Sequence, residues 1–395
     1  MRLDSGAAPV AASPHNPGHD VSAAERAAMR QALRLARKGI GGTHPNPRVG
    51  AVVLADGRVA GEGWHARAGE AHAEVRALEA AGAAAKSATL VVTLEPCAHR
   101  GKTPPCVDAI LSAGVRRVVV GMVDPNPIVN GRGIAALRDA GLDVAVGVLE
   151  EECAALNEPY VKALATGLPR VTLKAMLSLD GRMASDEGDS RGLGGAEEQR
   201  LCHRLRAEND AVLIGSGTLR ADDPILTVRL VRGRSPWRVV LDSRLSIADD
   251  AAILGTLAKA PLIVATVSRD ASRAAALEAR GARVWRFEAD PEGRVPLRPL
   301  LAQLVQEGRF ALLVEGGSAV HTAFLREGLA DRVAVGIAPV LLGGREPRAW
   351  TGDLGRQGLG DAITVEDLRS RRVGRDVWLE GSIRRADPGR GRADV

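Results

Sequence analysis

The stretches GEAHAEVRALEAAG (69–82) and VTLEPCAHRGKTPPCVDAI (92–110) read as helix, strand, helix, and they set one histidine and two cysteines at the junctions. His72 and Glu74 stand at the start of the first helix, Cys97 just past the strand, and Cys106 at the head of the second helix. One His and two Cys are borderline-soft ligands suited to Zn2+. On an ideal helix, residues two apart point about 200° away from each other. His72 and Glu74 therefore address one metal only across the helix's N-terminal end, which their first-turn positions permit. Pro104 and Pro105 set the entry to the second helix, whose positive end favours a Cys106 thiolate.

Three protein ligands leave the fourth tetrahedral position for water, whose pKa falls to about 7 on zinc, with Glu74 free to shuttle the proton. H-x-E followed by P-C and a further Cys is the pattern of zinc nucleobase deaminases, where the Glu is general acid/base and not a ligand. That pattern spaces its cysteines as C-x-x-C, whereas eight residues separate Cys97 from Cys106. A closed zinc knot with His44, His99 or Cys153 as fourth ligand competes with this reading, but it leaves Glu74 without a task.

Outward from this centre, a helix is expected from Val21, with Met29, Leu33, Ala36 and Ile40 at three- and four-residue steps. A hairpin follows, RVGAVVL and RVAGEGW around Ala-Asp-Gly. Downstream, strands at RRVVVGMV and DVAVGV flank a helix at GRGIAALRDAG. This alternation predicts an α/β domain over 21–168 with a largely parallel sheet, with EECAALNEPYVKALATG (151–167) as a helical connector near 151–169. A second alternation over 169–383 predicts a second α/β domain, and residues 1–20 and 384–395 read as disordered tails.

The 395 residues are 45% hydrophobic and 26% charged, ordinary for a soluble chain of two domains. Five Trp, three Phe and one Tyr make base-stacking platforms a poor expectation. The net charge of +5 comes from arginines interleaved with acids, so no nucleic-acid partner is expected. No uncharged apolar run reaches about eighteen residues, and the N-terminus lacks a signal peptide's order, so a soluble cytoplasmic protein with no membrane partner is expected. Four cysteines, Cys97, Cys106, Cys153 and Cys202, are too few for a disulfide scaffold.

Together with THPNPRVGAVV (43–53), GEGWHARAGEAHAEV (61–75), TLEPCAHRGKTPPC (93–106) and MVDPNPIVNGRG (122–133), the long cysteine spacing closely resembles the family of bifunctional riboflavin-biosynthesis proteins. In that family a diaminohydroxyphosphoribosylaminopyrimidine deaminase is fused to a phosphoribosylaminouracil reductase. The resemblance implies a cytidine-deaminase-like α/β/α domain followed by a dihydrofolate-reductase-like α/β domain. It also implies Asn46, His65, His99 and Lys102 as substrate contacts in the first. Asn46 between two prolines suits a pyrimidine edge, and Lys102 a phosphate, although a turn and a solvated surface are the plain alternatives.

The second half carries a softer signal. DAVLIGSGTLRADDPILTVR (210–229) reads as a strand with a Gly-Ser-Gly turn, and LLVEGGSAVHTAFL (312–325) as strand, Gly-Gly, helix. The latter is a phosphate cradle or simply a tight turn, and it is not a G-x-G-x-x-G fingerprint. These segments, with VTLKAMLSLDGRMA (171–184) and VVLDSR (239–244), resemble the family's reductase half. The resemblance implies Ser190, Arg206, Leu226, Arg229 and Glu315 as substrate contacts, and Lys174 and Asp222 as catalytic groups. It implies Met176, Gly192, Thr218, Asp222, Ser243 and the run Gly317, Ser318, Ala319, Val320, His321, Thr322 and Ala323 as NADPH contacts. Guanidinium forks at 206 and 229 suit a sugar phosphate, although a surface helix Arg and a strand-edge Arg are the commoner fates.

The expected activity is zinc-dependent deamination of a phosphoribosylated diaminopyrimidinone, then NADPH-dependent reduction of ribosyl to ribityl, in a homo-oligomer. The alternatives are a deaminase with a degenerate reductase domain, a tRNA or free-base deaminase, and a non-catalytic zinc-stabilised binding protein. One departure concerns the cofactor. Where the family reads Ser-x-Trp-Ile-Thr, this chain has Ser190-Arg191-Gly192-Leu193-Gly194. A loosened loop and weakened NADPH affinity are expected, to be reversed by Gly192→Trp and Gly194→Thr.

Overall fold

The computed structural model describes residues 20–99, 104–190, 192–345, 348–356 and 358–384. The tails expected at 1–20 and 384–395 lie outside these residues except for Asp20 and Arg384. The chain divides between Gly167 and Leu168 into two compact units.

In the first unit, α1 (Ala23–Ala36) starts on a capping box, with the Ser22 hydroxyl accepting from Glu25 N–H and the Glu25 carboxylate accepting from Ser22 N–H. Met29, Leu33 and Ala36 are buried as the spacing requires, but the helix ends before Ile40. Strands β1 (Gly50–Ala55) and β2 (Arg58–Trp64) close through Asp56-Gly57, both at positive φ, the geometry of a two-residue hairpin. Then come α2 (Ala73–Ala81), β3 (Thr89–Leu94), α3 (Cys106–Ser112), β4 (Arg117–Met122), α4 (Arg132–Asp139) and β5 (Asp143–Val146). Helices α5 (Glu150–Leu156) and α6 (Glu158–Thr166) complete the unit.

The sheet order is β2-β1-β3-β4-β5. Only β3, β4 and β5 run parallel; β1 is antiparallel to both neighbours, so the sheet is mixed and not largely parallel as expected. The hairpin forces the β1–β2 pair to be antiparallel, and the long-range pairing of β1 with β3 is antiparallel as well. Residues 151–167 also do more than connect. Cys153 is fully buried in the unit's core, and Asn157 grips Arg48 through both backbone groups (2.8 and 3.0 Å).

Helices cover both faces of this sheet closely. A Cβ at Gly50 would lie 2.0 Å from Ala32 O in α1, and one at Gly63 2.2 Å from Ala73 O in α2. Gly50→Ala is therefore expected to cost at least the usual overpacking penalty of about 1–3 kcal/mol, read as a lowered melting temperature.

The second unit contains β6 (Arg170–Leu177), α7 (Ala196–Glu208), β7 (Ala211–Gly215), α8 (Ser216–Asp222), β8 (Trp237–Leu241), β9 (Leu262–Thr266) and α9 (Ala271–Ala279). It continues through β10 (Arg283–Arg286), α10 (Leu297–Gln306), β11 (Ala311–Val314), α11 (Ser318–Arg326), β12 (Arg332–Ile337), β13 (Val365–Val373) and β14 (Asp376–Ile383). Nine strands run in the order β10-β9-β8-β7-β11-β6-β12-β14-β13. All neighbours through β12 are parallel, and the final hairpin is antiparallel. Alternate residues of β7 enter separate cores: Leu213 joins Val171 and Leu300, while Val212 and Ile214 join Val240 and Leu277. Burial on both faces explains the unbroken apolar runs of its inner strands.

Three elements went unread in the sequence. The Gly-Ser-Gly turn is the start of α8, and the hairpin of β13 and β14 follows a polar stretch with no apolar alternation: β13 is an exposed edge strand.

Candidate active sites

In the first unit the N-terminal ends of α2 and α3 converge. His72 is the N-cap of α2 and Cys106 the first residue of α3, while Cys97 follows β3. His72 Nδ1 lies 3.1 Å from Cys106 Sγ and 3.6 Å from Cys97 Sγ, and the three ligand atoms lie within 4.8 Å of one another. The Cys106 N–H donates to Cys97 Sγ at 3.4 Å, so the helix end stabilises a thiolate directly. One nitrogen and two sulfurs at these separations fit a zinc ion.

Among the described residues no fourth ligand joins the group. Cys153 packs in the core against Gly121 of β4, which rules it out of a closed knot. Glu74, 3% exposed, has an Oε2 without a hydrogen-bond partner among the described residues, and burial raises its pKa. A buried carboxyl group with a spare oxygen beside a three-ligand cluster can carry a proton.

The cluster opens into a cleft of about 360 Å³ lined also by Asn46, His65 and His99. Burial lowers the pKa of His65, so its ring is neutral. Asn46 Nδ2 then donates to its Nε2 (3.1 Å) and its Nδ1–H donates to Ala71 O (3.3 Å). That leaves the Asn46 carbonyl oxygen available to a ligand. Lys102 lies outside the described residues.

Sequence reasoning missed three groups here. Glu95 accepts from Asp124, Gly131, Gly133 and Ile134 N–H (2.9–3.3 Å), capping α4 and bracing the turn that carries Cys97. Asp124, pushed up to about 6 by burial, accepts from the Tyr160 hydroxyl (2.9 Å), and both line the cleft. The Pro-Asn-Pro of MVDPNPIVNGRG, which repeats that of residues 45–47, was the available signal for the adjoining Asp124; nothing local marked Tyr160.

In the second unit a cleft of about 680 Å³ opens at the carboxyl ends of β6, β7 and β11, where ligands bind in parallel sheets. Its lining includes Lys174, Met176, Ser190, Gly192, Arg206, Thr218, Asp222, Leu226, Glu315, Gly317, Ser318 and Ala319. Arg206 meets Glu315 through both fork nitrogens (2.6 and 2.7 Å), and Ser190 Oγ donates to Asp222 (2.9 Å). Leu226 sits at φ +59, a left-handed conformation costly for a branched residue.

Other expected contacts do not line this cleft. Val320, Thr322 and Ala323 point elsewhere because successive helical residues turn by about 100°, and His321 is fully buried, near Val314 O and Trp350 O. Ser243 is also outside it, as is Arg229, whose N–H donates to His203 Nδ1 (2.8 Å). Burial and the nearby Arg206 lower the pKa of Arg229, so the two cations are close enough to repel.

The loop at 192–195 is pinned, contrary to the expectation of looseness. Arg375 donates to Gly192 O and Leu193 O (3.2 and 3.1 Å), and Gly195 N–H donates to Asp376 (2.8 Å). The proposed restoration also fails on geometry. Gly192 is at φ +76, strained for Trp, and a Cβ at Gly194 would lie 2.3 Å from Glu198 Oε2.

No helix among the described residues is long and apolar enough to cross a membrane. Two family models match the chain: the cytidine and deoxycytidylate deaminase zinc-binding region over residues 22–122, and the RibD C-terminal domain over 169–379. The chain is 42% identical over 352 residues to riboflavin biosynthesis protein RibD of Aquifex aeolicus (strain VF5), covering 89% of this chain and 96% of that one. It is 40% identical over 370 residues to the Escherichia coli (strain K12) RibD, covering 89% and 97%. The solved structure of Acinetobacter baumannii RibD, form 1, superposes with a TM-score of 0.83 at 36% identity, covering 92% of this chain and 99% of that one. That of a Thermotoga maritima diaminohydroxyphosphoribosylaminopyrimidine deaminase/5-amino-6-(5-phosphoribosylamino)uracil reductase gives 0.78 at 34%, covering 91% and 99%. With a zinc-binding deaminase unit and an NADPH-dependent reductase unit both present, the chain belongs to the RibD family of bifunctional deaminase/reductases of riboflavin biosynthesis.

Proposed function

We propose that the chain deaminates 2,5-diamino-6-(5-phosphoribosylamino)pyrimidin-4-one and then reduces the ribosyl group of 5-amino-6-(5-phosphoribosylamino)uracil to ribityl. The observation that carries this is the pairing, within one chain, of the His72/Cys97/Cys106 cluster beside Glu74 with a separate cleft holding Lys174, Arg206 and Glu315.

His72, Cys97 and Cys106 hold zinc, which when bound supplies Lewis-acid activation of water. Glu74 takes the proton of the attacking water and delivers it to the departing amine, so that ammonia leaves. Asn46 and His65 orient the pyrimidine, with His99 beside them in the cleft, and Lys102 serves as a further substrate contact.

In the second cleft NADPH supplies hydride. Gly317, Ser318 and Ala319, at the positive end of α11, together with Met176, Thr218, Gly192 and Asp222, hold the cofactor. Lys174 and Asp222 manage protons as the sugar ring opens; Ser190, Leu226 and Glu315 position the substrate. The mutual proximity of Arg206 and Arg229 suits a phosphate between or beside them. Ser243, Val320, Thr322 and Ala323 stay as contacts to a cofactor portion extending beyond the cleft, whereas His321, fully buried, is not one. Residues 21–168 form the deaminase and 169–383 the reductase, in a cytoplasmic homo-oligomer that takes small phosphorylated substrates and no nucleic acid.

The test incubates the purified zinc-loaded chain with the diaminopyrimidinone phosphate, with and without NADPH, and identifies products by mass. Deaminated ribosyl product without NADPH and ribityl product with it are expected; unchanged substrate in both defeats the reading. A fragment ending at Gly167 should still release ammonia, because its core is its own.

A further inference from the structure

Glu198 is the least expected group in the second cleft. It sits in the first turn of α7, 4% exposed, with Oε1 3.1 Å from Lys174 Nζ and 2.7 Å from the Cys202 thiol that donates to it. Its Oε2 occupies space that any side chain at 194 would claim: a Cβ there would come within 2.3 Å of Oε2 and 2.8 Å of Cδ. The backbone at 194 cannot retreat, because the adjoining Gly195 N–H is tied to Asp376, itself fully buried at the hairpin of β13 and β14. Nor can the carboxylate turn away freely, since it would leave a buried ammonium without this partner.

We propose that Glu198 is the positioning residue for Lys174, and that it reaches the cleft floor only because position 194 is glycine. The inference rests on the reductase reading for its catalytic consequence, but not for its geometry. Lys174 is faced by Glu198 and Cys202 from α7, by Glu315 after β11 and by His321 from α11. Arg206 is occupied by Glu315 in a two-pronged pair, which leaves Glu198 as the carboxylate in direct ion-pair contact with Lys174. Burial works against the ammonium charge, and Cys202, Glu198 and Glu315 outweigh it. The floor thus carries two cations, Lys174 and Arg206, against two carboxylates, Glu198 and Glu315. A bound sugar phosphate therefore meets a fixed, balanced quartet with the Lys174 ammonium aimed at the cleft.

The experiment uses the full zinc-loaded chain and four variants: Glu198→Gln, Glu198→Ala, Gly194→Thr and the double change Gly194→Thr/Glu198→Ala. The first readout is acylation of Lys174 by acetic anhydride across pH, followed by peptide mass. It needs no turnover. Weakening the attraction of Glu198 for the ammonium should let Lys174 react as a free amine at lower pH, raising its rate about tenfold or more at a given pH in Glu198→Gln. The alkaline limb of reductase kcat/KM should move to lower pH with it, whereas a purely structural role would lower activity evenly at all pH.

The second readout is melting temperature. Gly194→Thr should lower it, and Glu198→Ala should restore it in the double variant while leaving Lys174 as reactive as in Glu198→Ala alone. Unchanged Lys174 labelling in Glu198→Gln overturns the positioning role, and a Gly194→Thr chain as stable as the parent overturns the matched pair. A parent chain that never oxidises NADPH with authentic substrate defeats the reductase reading alone, because labelling and melting still decide the geometry.

Discussion

Glu74→Gln is expected to bind one zinc per chain with parental affinity and to release ammonia at least about a hundred- to ten-thousand-fold more slowly, the range over which a positioned acid/base contributes. The isosteric amide keeps the packing of a side chain that is 3% exposed but cannot accept the proton. His72, Cys97 and Cys106 are untouched, so metal content by atomic absorption should not change. Cys106→Ser gives the opposite pattern, weakening metal binding itself, because a sulfur that forms one corner of the cluster and lies at a helix N-terminus is lost. Zinc loss in Glu74→Gln would show that the carboxylate is a ligand and end its assignment as proton carrier.

Arg206→Met should be the most damaging single change in the second unit. The guanidinium neutralises Glu315, whose carboxyl group is pushed up by burial and held below its ordinary range because Arg206 and Lys174 outweigh that burial. Removing one partner of such a pair leaves an uncompensated buried charge, costing about 3–5 kcal/mol. Four of the five tryptophans lie in this unit, so tryptophan fluorescence during thermal unfolding reports its loss of stability. Reductase turnover should vanish while ammonia release persists. Replacing both partners, Arg206→Met with Glu315→Met, should recover most of the stability and none of the reductase activity; if the double variant is no more stable than the single one, the charge argument is wrong.

Much of the first site was legible because its chemistry is carried by rare residue types at element ends. His72-Ala-Glu74 and Cys97 with Cys106 are marked by local features: a helix start, a strand end and a proline pair. Such signals survive without tertiary information, since caps and turn residues act within a few positions of themselves. Tyr160 was not legible in this way. It reaches Asp124 from a helix that reads only as a connector, across 36 positions of chain. The mixed sheet of the first unit has the same origin: the hairpin is visible locally, but which strand β1 joins on its other side is a choice among long-range pairings.

In the second unit the sequence by itself determined the alternation of strands and helices, because strands buried on both faces write themselves as apolar runs. It also marked the Gly-Gly turn before α11. The resemblance already groups Lys174, Arg206 and Glu315; what only the tertiary structure decided is that Glu198 joins them in one cleft. Lys174, Glu198, Arg206 and Glu315 come from β6, α7 and the end of β11, and each alone looks like an ordinary surface charge. The glycine at 194 shows the difference most plainly: in the sequence it reads as a missing threonine in a loosened loop. In the folded chain it is the space that the Glu198 carboxylate fills, in a loop held by Arg375 and Asp376 from a hairpin almost two hundred positions away. Local propensity cannot encode that relation, because an ion pair and the room for it are properties of three segments brought together by the sheet order, and not of any one of them.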